Sequence, residues 1–112
     1  MRYSHILVLV LLLVVLQGCA YRYVDHSAAD YNRFGAMCIK NKLYTAALFW
    51  LHKALDVDPD YYPAYNNMAV CYEAMDENDK AKDLYEKAYL LSKDKQVKNN
   101  LDLFTAGEEQ DD

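Results

Sequence analysis

Cys19 stands at the boundary between the most apolar segment of the chain and its polar remainder, where its thiol is open to chemical modification. Residues 6–16 form a run of eleven apolar residues, and Gln17 and Gly18 separate this run from the cysteine. The run is shorter than the roughly twenty residues that a membrane-spanning helix requires, but it suits the core of a signal peptide whose positive end is Arg2. We therefore predict a signal peptide over residues 1–18, with an uncleaved N-terminal anchor as the alternative.

The four residues at this boundary form a modification motif. Leu16-Gln17-Gly18-Cys19 resembles the bacterial lipobox, in which an aliphatic residue and a small residue precede a cysteine. The resemblance implies cleavage before Cys19, lipid on its sulfur, and an acyl chain such as palmitate on the new amino terminus. Because several acyl chains anchor a protein stably, the expected location is the bacterial cell envelope, lipid-anchored and facing the periplasm. Ala20 after the cysteine favours the outer membrane, and a chance cysteine is the alternative to the whole motif.

No other residue pattern predicts catalysis, a cofactor or a metal. His26 and His52 lie far apart and have no serine, acid or cysteine partner at a recognisable spacing. The acidic stretch 56–60 lacks the glycine and the glutamate that a calcium-binding loop needs at its sixth and twelfth positions. The sequence therefore predicts a protein that is not an enzyme and that needs no cofactor.

Length and charge narrow the possible partners. A chain of 112 residues has room for one small domain. Its net charge of −5 argues against a nucleic-acid partner, because phosphate binding requires a concentrated basic face.

The chain repeats itself at a distance of thirty-four residues. This offset places Tyr31-Asn32 on Tyr65-Asn66, and Lys53-Ala54 on Lys87-Ala88. The period, together with the alternation of aromatic, small and large residues, resembles the tetratricopeptide repeat, a pair of antiparallel helices. The resemblance implies an all-α, helix-turn-helix solenoid. We predict a membrane-proximal linker at 19–27, repeats at 28–61 and 62–95, a capping helix at 96–105 and an acidic disordered tail at 106–112.

The repeat pattern also predicts how the helices pack. Small residues at Gly35, Ala47, Ala69 and Ala81 allow the paired helices to approach closely, and the larger Phe34, Leu51, Met68 and Tyr85 fill the space between them. Asp58-Pro59-Asp60 should end one helix, because proline disfavours the helical conformation in the residue before it. Asp79 is the expected N-cap of the last helix in the second repeat.

In the repeat family, the first helices form a concave wall that binds peptides. The resemblance places in this groove Asn32, Arg33, Ile39, Lys40, Asn66, Asn67, Val70 and Glu73. The asparagines, joined by Asn99 or Asn100 from the capping helix, form a ladder whose amides both donate and accept hydrogen bonds along an extended peptide. Arg33 and Lys40 are candidates for binding a carboxylate. The alternative is that these residues are only the solvated polar face of a helix.

Two cysteines lie on neighbouring first helices. Cys38 and Cys71 are thirty-three residues apart, and an oxidising compartment allows them to form a disulfide if their Cα atoms come within about 7 Å. The alternative is that both thiols are small apolar fillers of the core.

Taken together, the sequence predicts a non-enzymatic, membrane-anchored adaptor. It would bind a protein or an extended peptide in the cell envelope and help it to assemble or localise, as small repeat lipoproteins of pilus and secretion machinery do. The alternative is a structural or regulatory subunit of another envelope complex, such as a modulator of cell-wall enzymes. Because two repeats bury a modest core, stabilisation by a partner or by self-association is also expected.

Overall fold

The computed structural model describes the backbone of residues 2–20 and 25–109, and the side chains of residues 3–14 and 25–109. These residues form helices and contain no strand. The six helices are α1 (Arg2–Ala20), α2 (Ala28–Lys40), α3 (Tyr44–Val57), α4 (Tyr62–Ala74), α5 (Asn78–Ser92) and α6 (Lys95–Glu108). The predicted all-α repeat architecture, with two helical hairpins and a final helix, is confirmed.

The turns inside the two hairpins have the same conformation. Lys42 and Asp76, which are thirty-four residues apart, have φ angles of 58° and 59°. In both turns the next backbone amide donates to the carbonyl five residues earlier, at 2.9 Å. The thirty-four-residue period is therefore present in the backbone hydrogen bonds as well as in the side-chain types.

Short polar side chains set several helix ends. Ser27 caps α2: its hydroxyl accepts from the backbone N–H of Asp30, and the Asp30 carboxylate accepts from the backbone N–H of Ser27. After α3, the Asp58 carboxylate accepts from the backbone N–H of Asp60 at 3.0 Å, which supports the predicted turn. Tyr65 then donates its hydroxyl to the Pro59 carbonyl at 2.8 Å and ties the second repeat to the first.

The start of α5 differs from the prediction. Glu77 is the residue at the N-cap position, and its side chain makes no capping hydrogen bond. Asp79 lies inside the first turn, where its negative charge interacts favourably with the positive end of the helix dipole.

The core follows the predicted alternation of small and large residues. Gly35 is buried, and its missing Cβ would lie only 2.7 Å from both Cγ and Cδ2 of Leu51. Leu51 is 0% exposed, and the predicted small residues Ala47, Ala69 and Ala81 are equally buried. Met68 and Tyr85 are also buried. Phe34 is the exception: it is only half-buried, because it lies at the open end of the stack.

The final helix closes the other end of the stack and is longer than predicted. Asp94 caps α6 by accepting the backbone N–H of Gln96. Val97 and Phe104 are buried, and the Phe104 ring centre lies 5.4 Å from that of Tyr85. The prediction ended this helix at residue 105, but the helix continues to Glu108, so the first residues of the expected disordered tail are helical. Residues 110–112 of that tail lie outside the described residues.

The first helix presents apolar side chains to solvent. Residues 6–14 of α1 are each between 53% and 64% exposed. None of the helices within the described residues has both the length and the apolar character needed to cross a membrane. The backbone of Cys19 belongs to α1, and its side chain lies outside the described residues.

Candidate functional site

Asparagine amides connect the first helices of successive units. Asn67 of α4 donates its side-chain N–H to the side-chain oxygen of Asn32 on α2 at 2.9 Å. Asn100 of α6 donates in the same way to Asn66 of α4 at 3.0 Å. The predicted asparagine residues therefore meet in two pairs. Of the two candidates in the last helix, the structure selects Asn100, whereas Asn99 is exposed.

Each paired asparagine side chain keeps hydrogen-bonding groups that the pair itself does not use. Within a pair, one side chain uses an oxygen lone pair and the other uses one N–H. A side-chain amide has two N–H groups and an oxygen with two lone pairs, so both members keep donors and acceptors. Because the paired amides hold each other in place, those remaining groups are presented in a fixed geometry. This arrangement can hydrogen-bond the backbone of an extended peptide.

A small polar cavity lies between α4 and α6 beside the second pair. Its volume is about 240 Å³. It is lined by Tyr62, Pro63, Asn66, Asn67, Asp94, Gln96, Val97 and Asn100. Tyr62, Asp94 and Gln96 were not predicted, because they stand at helix starts and the groove assignment followed helix faces. Pro63 in the first turn of α4 and Asp94, the N-cap of α6, were the signals that could have identified them.

The two predicted basic residues of the groove are exposed. Arg33 lies 3.5 Å from the carboxylate of Asp30 on its own helix, and Lys40 lies at the end of α2. An exposed pair of this kind contributes about 1 kcal/mol or less, so a partner carboxylate can compete for Arg33 at small cost.

The remaining groove candidates have structural contacts. Ile39 and Val70 are half-buried and pack against the hydrophobic clusters of the core. Glu73 accepts a hydrogen bond from the Tyr85 hydroxyl at 2.7 Å. Burial raises the pKa of Tyr85, and the hydrogen bond to Glu73 raises it further. These residues therefore connect the groove wall to the second helices.

The two cysteines pack in the same hydrophobic cluster, which joins α2, α3 and α4. Cys71 is fully buried, and the half-buried Cys38 packs against the cluster that contains it. Burial raises the pKa of Cys71 to about 11, and the neighbouring Cys38 adds to the increase. Both thiols are free in the structure, and the disulfide stays a prediction.

Cys71 should resist alkylation in the folded protein. Because its pKa is raised to about 11, it holds little thiolate at pH 8, and burial also blocks access. Iodoacetamide labelling with mass mapping of each cysteine should show Cys71 reacting at least tenfold faster in urea than in buffer. The raised pKa also means that the folded state keeps this proton longer than the unfolded chain does. Its contribution to stability is therefore complete below about pH 9 and is lost as the pH rises towards 11. If Cys71 is labelled at equal rates in urea and in buffer, its thiol is not buried in the folded protein.

His26 and His52 lie in different environments. His26 packs edge-on against Tyr31 and Phe34, with ring centres 5.4 and 5.5 Å apart, and His52 is exposed. Among the residues that the structure describes, no group of three or more His, Cys, Asp and Glu side chains is arranged to hold a metal ion.

Comparison with known proteins identifies the family. A tetratricopeptide-repeat family model matches residues 39–99, which is more than half of the chain. The chain belongs to the tetratricopeptide-repeat family. Such repeats generally form non-catalytic scaffolds for protein–protein interaction, and this tetratricopeptide protein has the corresponding architecture.

The tetratricopeptide fold is also found in a solved structure. The crystal structure of MamA is similar, with a TM-score of 0.66 and 26% sequence identity over 74% of this chain. The match spans 49% of the MamA chain, so it covers about half of that protein. Among curated protein sequences, none matches this one.

Proposed function

We propose that this tetratricopeptide protein is a lipid-anchored adaptor of the bacterial cell envelope. It holds an extended segment of a partner protein along its asparagine ladder and catalyses no reaction. The observation that supports this proposal is the pairing of Asn32 with Asn67 and of Asn66 with Asn100 across three neighbouring first helices.

The ladder suits the backbone of a partner better than its side chains. Amides repeated from helix to helix match the alternating N–H and C=O groups of an extended peptide. Arg33 and Lys40 are exposed beyond the ladder and suit a carboxylate of the same partner. An adaptor of this kind helps an envelope protein to assemble or localise, and pilus and secretion complexes are the class that the sequence motif favours.

A second candidate function uses the opposite surface. The second helix α5 exposes Leu90, which is 64% exposed. Binding through α5 would suit a structural or regulatory subunit of another envelope complex, such as a modulator of cell-wall enzymes.

The double variant Asn32→Ala/Asn67→Ala tests the groove. Both members of one half-buried pair are removed together, so neither amide is left without its partner and the fold should be kept. If each amide gives its partner about 1 kcal/mol, the loss of two should weaken partner binding by tenfold or more. Crosslinking in living cells, followed by purification through a C-terminal tag, measures the recovered partner.

The matched control for the groove is on α5. Lys82→Ala/Leu90→Ala removes two exposed side chains from the opposite surface. Recovery unchanged in the asparagine variant but lost in the α5 variant would favour the second candidate function.

Cys19→Ala tests the anchor independently. We expect the variant to accumulate as an unprocessed precursor and to incorporate no labelled fatty acid, because the lipid-accepting thiol is absent. Gel mobility and metabolic labelling with palmitate measure both effects. Normal processing of the variant would mean an ordinary secreted protein, whatever the groove variants show.

A further inference from the structure

The open end of the repeat stack contains a large apolar cavity. Its volume is about 630 Å³. The indole ring of Trp50 stacks on Tyr31, with ring centres 6.1 Å apart, and is tilted against Phe34 at 5.4 Å. Met37 lines the cavity and is 59% exposed, and Phe49, in ring contact with Trp50, is 55% exposed.

The second repeat shows what normally covers this face. Phe34 and Met37 correspond, at the offset of thirty-four, to Met68 and Cys71. Those residues are buried in the cluster that α3 forms with α4. The first repeat has no such helix before it within the described packing, so the equivalent face stays open.

Corresponding segments of the two repeats differ in charge. Residues 31–55 contain four basic residues and no acidic residue, although the whole chain has a net charge of −5. The corresponding residues 65–89 contain six acidic residues. In the first repeat the six positions carry Ile39, Lys42, Leu43, Thr45, Phe49 and His52, where the second repeat carries Glu73, Asp76, Glu77, Asp79, Asp83 and Glu86.

The chain enters the repeat domain beside the apolar cavity at the open end of the stack. His26 lines the cavity and contacts Tyr31 and Phe34. It follows Cys19 by seven residues, a distance that an extended chain spans in at most about 25 Å. An anchor at the N-terminal segment therefore keeps this face close to the membrane surface.

We propose that this end of the stack docks into the headgroup region of an anionic lipid membrane. Tryptophan and tyrosine are suited to that region because their rings are apolar and their N–H and O–H groups are polar. Lys42 lies beside the cavity-lining Leu43, and the Lys53 ammonium lies 5.7 Å from the Phe49 ring centre, so basic groups accompany the exposed apolar residues. Basic residues near an anionic surface each tighten binding about fivefold. This proposal rests on the proposed lipid anchor, which keeps the cavity face near the membrane. Docking would also fix the orientation of the asparagine ladder relative to the membrane surface.

Trp50 allows a direct test, because it is the only tryptophan in the chain. The full chain is reconstituted into vesicles of phosphatidylethanolamine and phosphatidylglycerol that contain brominated lipids, and flotation measures attachment separately. We expect strong quenching of Trp50 in these vesicles and at least a threefold loss of quenching in vesicles of phosphatidylcholine or at high salt.

The double variant Lys42→Asp/Phe49→Asp gives the first repeat the residues that the second repeat has at these positions. Both side chains are exposed, and Asp76 already occupies the left-handed conformation that position 42 needs, so the helical content should be kept. Quenching should fall at least fivefold in this variant. The control Lys82→Asp/Leu90→Asp replaces one exposed lysine and one exposed apolar residue on α5, with the same change in net charge, and should leave quenching unchanged.

The outcomes separate docking from anchoring. Flotation without quenching, or quenching that neither lipid charge nor the double variant alters, overturns the docking and leaves the anchor intact. The apolar, basic face would then be assigned to an acidic protein partner. Failure to float with the anionic vesicles overturns both proposals.

Discussion

Replacing Leu51 by alanine should lower the free energy of unfolding by about 3 to 5 kcal/mol. Leu51 is 0% exposed and belongs to the cluster that joins the two repeats, with Ala64 and Met68 from α4. Alanine would leave a cavity between helices that are held at close distance by small residues and cannot collapse freely. Native proteins have a total stability of about 5 to 15 kcal/mol, so the loss would remove a large part of it.

Urea unfolding followed by far-ultraviolet circular dichroism measures this loss. Leu90→Ala is the matched control: Leu90 is 64% exposed, so its replacement should change stability by less than about 0.5 kcal/mol. A loss below about 1 kcal/mol for Leu51→Ala would mean that the interface between the repeats is not tightly packed.

Adding a single methyl group at Gly35 should also destabilise the fold. The new Cβ would lie 2.7 Å from both Cγ and Cδ2 of the buried Leu51 and 3.4 Å from the Ala47 carbonyl oxygen. Alanine favours helix over glycine by about 1 kcal/mol, but overpacking of this severity costs about 1 to 3 kcal/mol or more. Because Leu51 Cγ is not the free end of a flexible chain, we expect Gly35→Ala to lose about 1 to 2 kcal/mol net. The midpoint of urea unfolding measures the change.

The chain contains its own control for this substitution. Gly107 also lies in a helix, but a Cβ at that position would have no neighbour within 4 Å. Gly107→Ala should therefore be neutral or slightly stabilising. If both variants are stabilised alike, α2 and α3 are not in close contact.

The two sites should be strongly coupled. In a protein that already carries Leu51→Ala, the space next to Gly35 is empty, so Gly35→Ala should become neutral or stabilising by up to about 1 kcal/mol. Additive losses in the double variant would contradict the contact between Gly35 and Leu51.

The repeat period allowed the helical hairpins and their packing to be predicted, because the period reflects contacts that recur in every unit. The repeat pattern assigned Gly35 to close helix approach and Leu51 to filling the space between the helices, and the structure confirms both. Asp58-Pro59-Asp60 was also sufficient to place the end of α3, since that signal is local.

Features that depend on the ends of the array were not predictable in this way. A repeat pattern does not say which face of the first unit is left uncovered, so Phe34 was expected in the interior and Trp50 was not assigned to the cavity. The pairing of the asparagines also escaped prediction, since it depends on how two helices are placed relative to each other to within about 1 Å. For α6, the acidic composition of residues 106–112 indicated disorder, but the backbone hydrogen bonds of the helix continue to Glu108.

The position of α6 affects how the two halves of the ladder respond to thermal opening. Each helix of the stack packs mainly on its immediate neighbours in the chain, so the last helix can detach without disturbing α2 and α3. Detachment would break the Asn66–Asn100 bond and open the small polar cavity, while the Asn32–Asn67 bond would persist. Hydrogen exchange should therefore be faster at one end of the molecule than at the other. A ligand that spans the whole ladder would slow exchange in α6 most, because it would stabilise the helix that detaches first.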